Sequence, residues 1–312
     1  MLFSVRRLLN RRQARHSSLS VVGICPYHAN MTQPLFRALP LMIVAMFLIP
    51  LGDSAGRLLG AFHGVNPFFT AWSRFALGFL LLAPFAFSLS AMRLLTDWRI
   101  WLRAAFLICG ITSILTALRT EPIANVFGAF FIGPILSYFL SALFLREPIT
   151  LMRTALLLAG FYGVVMVVDP RFGLSPGLGF ALLAGCFYGA YLTASRWLTD
   201  VGRPRQILIT QLLIGAVVLL PVGLYHWPPM SGEIAAFTTV SALGSALGNL
   251  LLIVALGMAP ASRLAPFVYI QLVAATLWGL LIFAEVPQER ALQGLALILA
   301  SGLATLFLRE RR

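Results

Sequence analysis

Ten stretches of predominantly apolar residues, each long enough for one membrane-spanning helix, follow one another along the chain. A helix needs about 20 such residues to cross the hydrocarbon core of a bilayer. Hydrophobic residues make up 60% of the chain and charged residues 11%, whereas soluble domains have roughly 45–50% and about 25%. The sequence therefore predicts an all-α polytopic membrane protein of about ten transmembrane helices, without a soluble domain between them. The stretches run approximately over Leu39–Leu59, Phe68–Ser88, Ile100–Leu118, Ala124–Leu145, Leu151–Val168, Gly177–Ala194, Ile207–Leu224, Ile234–Gly257, Leu264–Phe283 and Ala291–Leu308.

The arginines predict how these helices are oriented. All 23 basic residues are arginine, and the cytoplasmic connections of membrane proteins carry an excess of positive charge. With a cytoplasmic N terminus, 18 arginines fall on the inside, and Arg103 is counted there as part of the connection after the second helix. We therefore expect a bacterial inner-membrane protein with both termini in the cytoplasm. The five arginines on the outside are Arg57, Arg74, Arg119, Arg171 and Arg290.

Residues 1–37 form a basic tail that differs from the rest of the chain. Its first 30 residues are rich in Arg and contain no Asp or Glu. Met31 opens a Met-Thr-Gln-Pro segment just ahead of the first apolar stretch, so the preferred interpretation is that Met31 is the true initiator. A basic arm on anionic lipid and a transit-like segment are the alternatives.

The two halves of the chain match each other at a nearly constant offset, which predicts an internal repeat. The offset separates equivalent helices by five spans, so equivalent helices run in opposite directions across the membrane. Residues 38–170 and 171–312 are therefore expected to be inverted five-helix repeats, a construction that suits alternating access in secondary transporters. The matches are Trp72–Pro84 on Ile209–Pro221 at an offset of 137, Gly110 on Gly248, Pro122 on Pro260 and Glu147 on Glu285 at 138, and Ser54–Arg57 on Thr193–Arg196 at 139.

These features resemble the EamA-type transporters of the drug/metabolite transporter superfamily. The resemblance rests on the ten-helix count, on Arg74 in the second helix and on the Leu-Arg-Glu-Pro motif at Leu145–Pro148. The Phe-Ala-Glu-Val-Pro segment Phe283–Pro287 echoes that motif in the second half. The resemblance covers residues from about 38 to 308. It implies a helical bundle with a central cavity open to one side, lined by the fourth and ninth helices, and the transport of small organic solutes.

Asp53 and Arg74 are expected to be the most deeply placed ionisable residues. Each lies about six residues from the outer end of its helix, or roughly 9 Å, and such groups tend to pair with each other or to line a cavity. Arg74 lies opposite Gln211 in the repeat, and Asp53 opposite Leu192, so the ionisable pair is asymmetric. The pair is interpreted as a substrate or proton site, or as a structural ion pair. An asymmetric site suits a polar substrate with one charged end.

Further polar and aromatic residues inside the apolar stretches are candidates for lining the solute cavity or for hydrogen bonds between helices. Pro134 and Pro266, in the fourth and ninth helices, are candidates for hinges. Glu147 and Glu285 are interpreted as helix-to-helix turns, with a gate or coupling carboxylate as the alternative. The candidates that join Asp53, Arg74 and Gln211 for substrate binding or coupling are Asn125, Tyr138, Tyr191, Asn249, Tyr269 and Gln271.

The sequence predicts a secondary transporter that moves amino acids or related metabolites, with export as the first hypothesis. Import or exchange of a polar solute such as S-adenosylmethionine or a nucleoside-type compound is the alternative. A channel or lipid scramblase and an intramembrane enzyme are further classes, and no catalytic motif supports the enzyme. Cys and His are scattered, so no metal or cofactor is expected. The expected partners are a small solute and the lipid bilayer, with a homodimer left open and nucleic acid excluded.

Overall fold

The computed structural model of the chain describes residues 32–146, 149–168, 175–198, 200–258, 264, 267–286 and 288–306. Glu147 and Pro266 therefore lie outside the described residues. The chain divides into two units, Met1–Pro34 and Leu35–Arg312. Of the first unit, only residues 32–34 are described, as the beginning of a helix. All contacts given below lie within the second unit.

Helices account for almost all of the described residues, and none of these residues forms a strand. A five-residue π-helical turn, Leu58–Phe62, extends the first helix. The helices are α1 (Thr32–Arg57), α2 (Pro67–Ala86), α3 (Leu89–Leu94), α4 (Trp98–Ala117), α5 (Ile123–Phe130), α6 (Ile132–Leu145), α7 (Leu151–Val168), α8 (Pro176–Trp197), α9 (Pro204–Val218), α10 (Leu220–Tyr225), α11 (Gly232–Met258), α12 (Ile270–Phe283) and α13 (Glu289–Leu306).

Six apolar segments in the described part of the chain are long enough to cross a membrane. They are Arg37–Phe62, Pro67–Phe85, Trp98–Ala117, Ile123–Leu145, Pro176–Trp197 and Gly232–Ala255. Shorter apolar helices occupy Thr154–Met166, Pro204–Val218, Ile270–Phe283 and Leu292–Ser301. Each of the ten apolar stretches of the sequence thus coincides with an apolar helix, but only six of these helices reach spanning length. The chain is an all-helical membrane protein.

Side-chain caps and proline set where several helices begin. Asn66, Ser88 and Ser175 each accept a hydrogen bond from a backbone N–H in the first turn that follows, which satisfies a group that the helix leaves without a partner. Asp97 caps α4 in the same way and also binds the guanidinium of Arg99. These hydrogen bonds hold the pKa of the half-buried Asp97 carboxyl below its usual range.

Proline also explains a break inside the fourth apolar segment. Helix α5 ends at Phe130 and α6 begins at Ile132, with Phe131 outside helical geometry. Pro134 has no N–H to donate to the carbonyl of Phe130, and its ring crowds that carbonyl. The fourth helix, expected from the sequence to be continuous, is therefore interrupted at Phe131 and consists of α5 and α6. The structure gives Pro134 a local breaking role, and its role as a hinge remains a proposal.

Helices α6 and α12 end on left-handed residues that are not glycine. Arg146 and Ala284 both have φ of 55°, and they lie 138 residues apart, which is an offset of the internal repeat. Glycine is the usual residue at such a C-terminal cap, because a Cβ strains the left-handed conformation.

Ala284→Gly is therefore expected to stabilise the protein by about 1 kcal/mol. Ala275→Gly, inside the same helix, is expected to destabilise it, because glycine lowers helix stability and the Ala275 methyl is buried. Thermal unfolding of both purified variants in detergent measures this contrast. A lower midpoint for Ala284→Gly than for the unmodified protein would contradict the prediction.

The helices of the two halves pack directly against each other. Helix α4 packs on α8 and α9, α2 on α9 and α11, α6 on α8, and α7 on α13. Small residues permit the closest approaches. A Cβ added at Gly189 of α8 would lie 2.5 Å from the carbonyl oxygen of Gly133, and one at Gly244 of α11 would lie 2.8 Å from that of Leu48. These contacts bring residues from opposite halves into one polar interior.

Candidate functional site

A cavity lies between helices of both halves, at the level of Asp53 and Arg74. Its volume is about 40 Å³, which holds two or three water molecules rather than an organic solute. Apolar side chains form most of its wall, and six polar residues interrupt them. Four of the six were predicted site residues. The lining residues are Ile49, Asp53, Arg74, Phe106, Leu107, Gly110, Ile111, Ile114, Phe130, Tyr188, Ser245, Asn249 and Gln271.

A buried ion pair forms the charged part of this cavity. Nη1 of Arg74 donates to Oδ1 of Asp53 at 2.5 Å, and both residues are only 3% exposed. Nε of Arg74 donates to the hydroxyl of Ser241 on α11 at 2.8 Å, and Nη2 donates to the carbonyl of Gly52 at 2.9 Å. The guanidinium therefore joins α1, α2 and α11. We name Gly52, Asp53, Arg74 and Ser241 the acidic cluster.

Two buried polar atoms of the cavity have no hydrogen-bond partner among the described residues. They are the hydroxyl of Tyr188 and Oε1 of Gln271. The ring of Tyr188 packs on Phe130 with centroids 4.7 Å apart, so one wall is aromatic. A buried polar atom without a partner is costly, and both atoms can be satisfied by water or by a polar solute in the cavity.

A second buried polar cluster surrounds Arg103 on α4. Arg103 donates to Ser195 Oγ at 2.8 Å, to Gln211 Oε1 at 2.5 Å and to the hydroxyl of Tyr191 at 2.9 Å. The hydroxyl of Tyr191 also donates to Gln211 Oε1 at 3.3 Å. The Arg103 guanidinium lies 4.6 Å from the centre of the Tyr191 ring, a favourable cation–π distance. We name Arg103, Tyr191, Ser195 and Gln211 the neutral-partner cluster.

The position of Arg103 corrects two expectations. Arg103 is 1% exposed, inside a candidate span and in contact with the second half, so it does not belong to a cytoplasmic connection. Asp53 and Arg74 are consequently not the only deeply placed ionisable residues. The signal was present in the sequence, because Arg103 falls inside the predicted stretch Ile100–Leu118. In the sequence, Arg103 lies close to Arg93 and Arg99, which favours its assignment to the connection.

A smaller cavity, of about 10 Å³, or the space of a single water molecule, reaches from the ion pair to the neutral-partner cluster. Arg74 and Gln211 both line it, together with Ser245 and Asn249. Gln211 therefore has one face on the cavity while its oxygen accepts from Arg103. The structure brings five predicted residues to the two cavities, and Tyr191 reaches them through Gln211. The five are Asp53, Arg74, Gln211, Asn249 and Gln271.

Besides Tyr191, three predicted residues border neither of these cavities. Asn125 is half-buried on α5. The hydroxyl of Tyr138 on α6 makes a 3.0 Å hydrogen bond with Thr154 on α7, so this side chain links two helices. Tyr269 is buried against the ring of Phe131, and its hydroxyl has no partner among the described residues.

Glu285 forms an ion pair between the halves rather than starting a helix. Its Oε1 lies 2.7 Å from Nη2 of Arg57 at the end of α1, while α13 begins only at Glu289. The Arg57 guanidinium also lies 4.2 Å from the centre of the Phe283 ring. Glu285 thus lies in the expected turn between two helices, but not in the first turn of the helix that follows, and its contact with Arg57 ties α1 to the end of α12.

Comparison with known proteins assigns this architecture to a family. The model of the EamA-like transporter family matches residues 36–169 and again 175–307. An S-adenosylmethionine uptake transporter of Rickettsia felis is 27% identical over 272 residues, which cover 85% of this chain and 91% of that protein. A riboflavin transporter of Rhizobium johnstonii is 27% identical over 243 residues, covering 75% of this chain and 78% of that protein.

A solved structure supports the fold. One crystal structure is similar with a TM-score of 0.68 and 22% sequence identity, covering 87% of this chain and 96% of its own. The two family matches together span most of the chain, including every residue of both polar clusters. The apolar helices, the polar cavity between the halves and this double match agree with one another. The chain therefore belongs to the EamA-like transporter family and is a small-molecule transporter rather than an enzyme.

Proposed function

We propose that the protein is a secondary transporter that takes up a small polar solute with an aromatic ring system, of the S-adenosylmethionine type, by alternating access. The observation that carries this proposal is the cavity in which an ion pair, an aromatic wall and two polar atoms without partners face the same space. A ring-bearing solute with hydrogen-bonding groups satisfies all three features at once when the two halves move apart and enlarge this space.

The relatives support uptake rather than export. The Rickettsia felis relative is named for uptake of S-adenosylmethionine, which matches the import alternative from the sequence. The names of the relatives give no support to the amino-acid export that the sequence favoured. S-Adenosylmethionine joins an aromatic base to a charged amino-acid end, and the cavity wall offers aromatic rings next to charged groups. A riboflavin-type solute is the second candidate, because the Rhizobium johnstonii relative is named for it.

We further propose ten spans, arranged as inverted repeats over residues 38–170 and 171–312, in the bacterial inner membrane with both termini cytoplasmic. The ten apolar helices, the sequence self-match and the two family matches of similar length support the repeats. The excess of arginine on one side supports the orientation even when Arg103 is taken out of the count. Inverted halves exchange conformations to open the cavity to either side.

Counterflow in proteoliposomes tests the proposed function. Vesicles are preloaded with S-adenosylmethionine, riboflavin or a mixture of amino acids, and uptake of each labelled compound is followed. Saturable uptake of S-adenosylmethionine that requires trans solute is the expected result. Flux without saturation or counterflow would indicate a channel and contradict the proposal. Counterflow of amino acids alone would contradict the proposed solute class.

The hydroxyl of Tyr188 separates solute binding from folding. Tyr188→Phe is expected to leave the unfolding midpoint unchanged or higher, because this hydroxyl has no partner in the described structure. The same change is expected to raise the KM for uptake by about three- to tenfold, since one hydrogen bond to the solute is lost, about 1 kcal/mol. Tyr138→Phe is the matched control and is expected to lower the midpoint without changing the KM, because its hydroxyl bonds Thr154 between helices and borders neither cavity. An unchanged KM in Tyr188→Phe would contradict a solute contact.

A further inference from the structure

The acidic cluster and the neutral-partner cluster occupy equivalent positions in the two halves of the sequence. The offset of 138 that aligns Gly110 with Gly248 also places Arg103 on Ser241. The offset of 139 that aligns the first helices places Gly52 on Tyr191. Since Arg74 already lies on Gln211, each cluster contains one arginine and the repeat partner of the other arginine.

The hydrogen bonds of the two arginines correspond in the same way. Arg74 on α2 donates to Ser241 on α11 and to the carbonyl of Gly52. Arg103 on α4 donates to Gln211 on α9 and to the hydroxyl of Tyr191. The helices joined in the first cluster, α1, α2 and α11, are the repeat equivalents of α8, α9 and α4, which the second cluster joins, although the arginine comes from a different helix of each set. The two clusters are thus quasi-equivalent polar sites at two levels of the bundle.

The levels are well separated along the helix axis. A Cβ placed on Gly56 would lie 2.7 Å from Nη2 of Arg74 and 2.7 Å from Cδ2 of Leu115. The Arg74 guanidinium therefore lies at the level of the Leu115 side chain. Arg103 precedes Leu115 by 12 residues on α4, which corresponds to about 18 Å of helix. The cavities described above occupy the space between these levels. A solute that moves through the protein therefore meets the two arginines in succession.

The clusters differ in one group, the carboxylate. Asp53 neutralises Arg74, but the repeat partner of Asp53 is the apolar Leu192. In the described parts of the chain, no carboxylate lies within ion-pair distance of Arg103. Its three hydrogen-bond partners are two hydroxyls and an amide, all of them neutral. A buried cation without a counter-ion is unfavourable in a membrane-spanning segment, and such groups mark solute or ion pathways.

Gln211 is the hydrogen-bond partner of Arg103 that borders a cavity. Its amide oxygen accepts from both Arg103 and Tyr191, and its side chain borders the smaller cavity, which also reaches Arg74 and Asn249. A carboxylate arriving through that cavity offers two oxygens to the guanidinium fork, where Gln211 offers one neutral oxygen. The exchange gives Arg103 the counter-ion that Arg74 already has.

We propose that Arg103 and Tyr191 form the subsite for a carboxylate of the transported solute, which stands where Asp53 stands in the equivalent cluster. This assignment rests on the proposed function and deepens it. It selects solutes with an anionic end, such as the amino-acid end of S-adenosylmethionine, over uncharged ring compounds such as riboflavin. Ser195 holds Arg103 in place from α8.

Competition in the proteoliposome assay tests the subsite. The probes are S-adenosylmethionine and its carboxamide, which keep the same ring and cationic centre but differ in the anionic group. In the unmodified protein, unlabelled S-adenosylmethionine (the acid) is expected to inhibit uptake of labelled S-adenosylmethionine at least tenfold more strongly than its carboxamide (the amide) does. Arg103→Gln is expected to reduce this ratio to within about twofold, and Arg103→Lys to retain an intermediate ratio. Arg99→Gln, one turn away on the same helix and partly exposed, is expected to keep the full ratio.

Gln211→Glu supplies the missing carboxylate from the protein itself. This variant is expected to raise the unfolding midpoint, because it neutralises Arg103, and to weaken inhibition by the acid at least tenfold while sparing the amide. It also covers the case in which Arg103→Gln does not fold. An unchanged acid-to-amide ratio in both folded variants, or equal weakening of both probes, would overturn the subsite alone. Failure of the unmodified protein to take up any probe would instead overturn the proposed function.

Discussion

Asp53→Asn is expected to destabilise the protein by about 3–5 kcal/mol and to lower uptake more than tenfold. The change leaves the Arg74 guanidinium buried without its counter-ion, and removing one partner of a buried pair costs this much. Arg74 also loses the group that orients it toward Ser241 and Gly52, so the junction of α1, α2 and α11 loosens. Thermal unfolding in detergent and initial uptake rates in proteoliposomes measure the two effects separately.

A double variant distinguishes a structural pair from a transport site. Asp53→Leu combined with Arg74→Met removes both charges, and apolar replacement of a buried pair is often neutral or stabilising. We expect this variant to recover most of the stability while uptake stays low. Asp97→Asn is the matched control at the partly exposed pair with Arg99, and it is expected to leave both measurements close to those of the unmodified protein. Normal uptake by the double variant would show that the pair serves the fold alone.

The helices and the acidic pair could be predicted from the sequence because their signals are local. An apolar stretch identifies a helix wherever it packs, so all ten stretches coincide with apolar helices. Asp53 and Arg74 stand out because each interrupts an apolar stretch. The break at Phe131 is also a local effect, since Pro134 removes one backbone hydrogen bond, but its result is a matter of geometry that hydropathy does not register.

The remainder of the site depends on how each helix is rotated about its axis. Arg103 lies about six residues inside α4, a depth at which an arginine either reaches the membrane surface or turns into the bundle. Only the packing of α4 on α8 and α9 decides between them. Because the sequence does not give the rotation of a helix, it does not distinguish Tyr138 from Asn249 as a residue that lines the cavity. In the structure, Tyr138 bonds Thr154 between helices and Asn249 lines both cavities.

The crossing of α6 and α8 offers the second large effect. A Cβ on Gly189 would lie 2.5 Å from the carbonyl oxygen of Gly133, and one on Gly133 would lie 2.7 Å from that of Gly185. Backbone atoms cannot give way as side chains do, so the two helices must separate. Gly189→Ala is expected to destabilise the protein by about 1–3 kcal/mol, although alanine favours a helix by about 1 kcal/mol over glycine. Gly189→Leu is expected to yield no folded protein after detergent extraction.

Gly179 on the same helix is the matched control, because a Cβ placed there meets no atom within 4 Å. Gly179→Ala is expected to raise stability by up to about 1 kcal/mol, through helix propensity alone, and Gly179→Leu is expected to fold normally. Fluorescence-detected size exclusion of membrane extracts ranks all four variants without purification. Equal behaviour of the two sites would mean that membrane insertion, rather than the close approach of α6 and α8, limits the folded yield. The opposite signs expected for Ala at Gly179 and Gly189 isolate the interhelical contact, since both substitutions change helix propensity by the same amount.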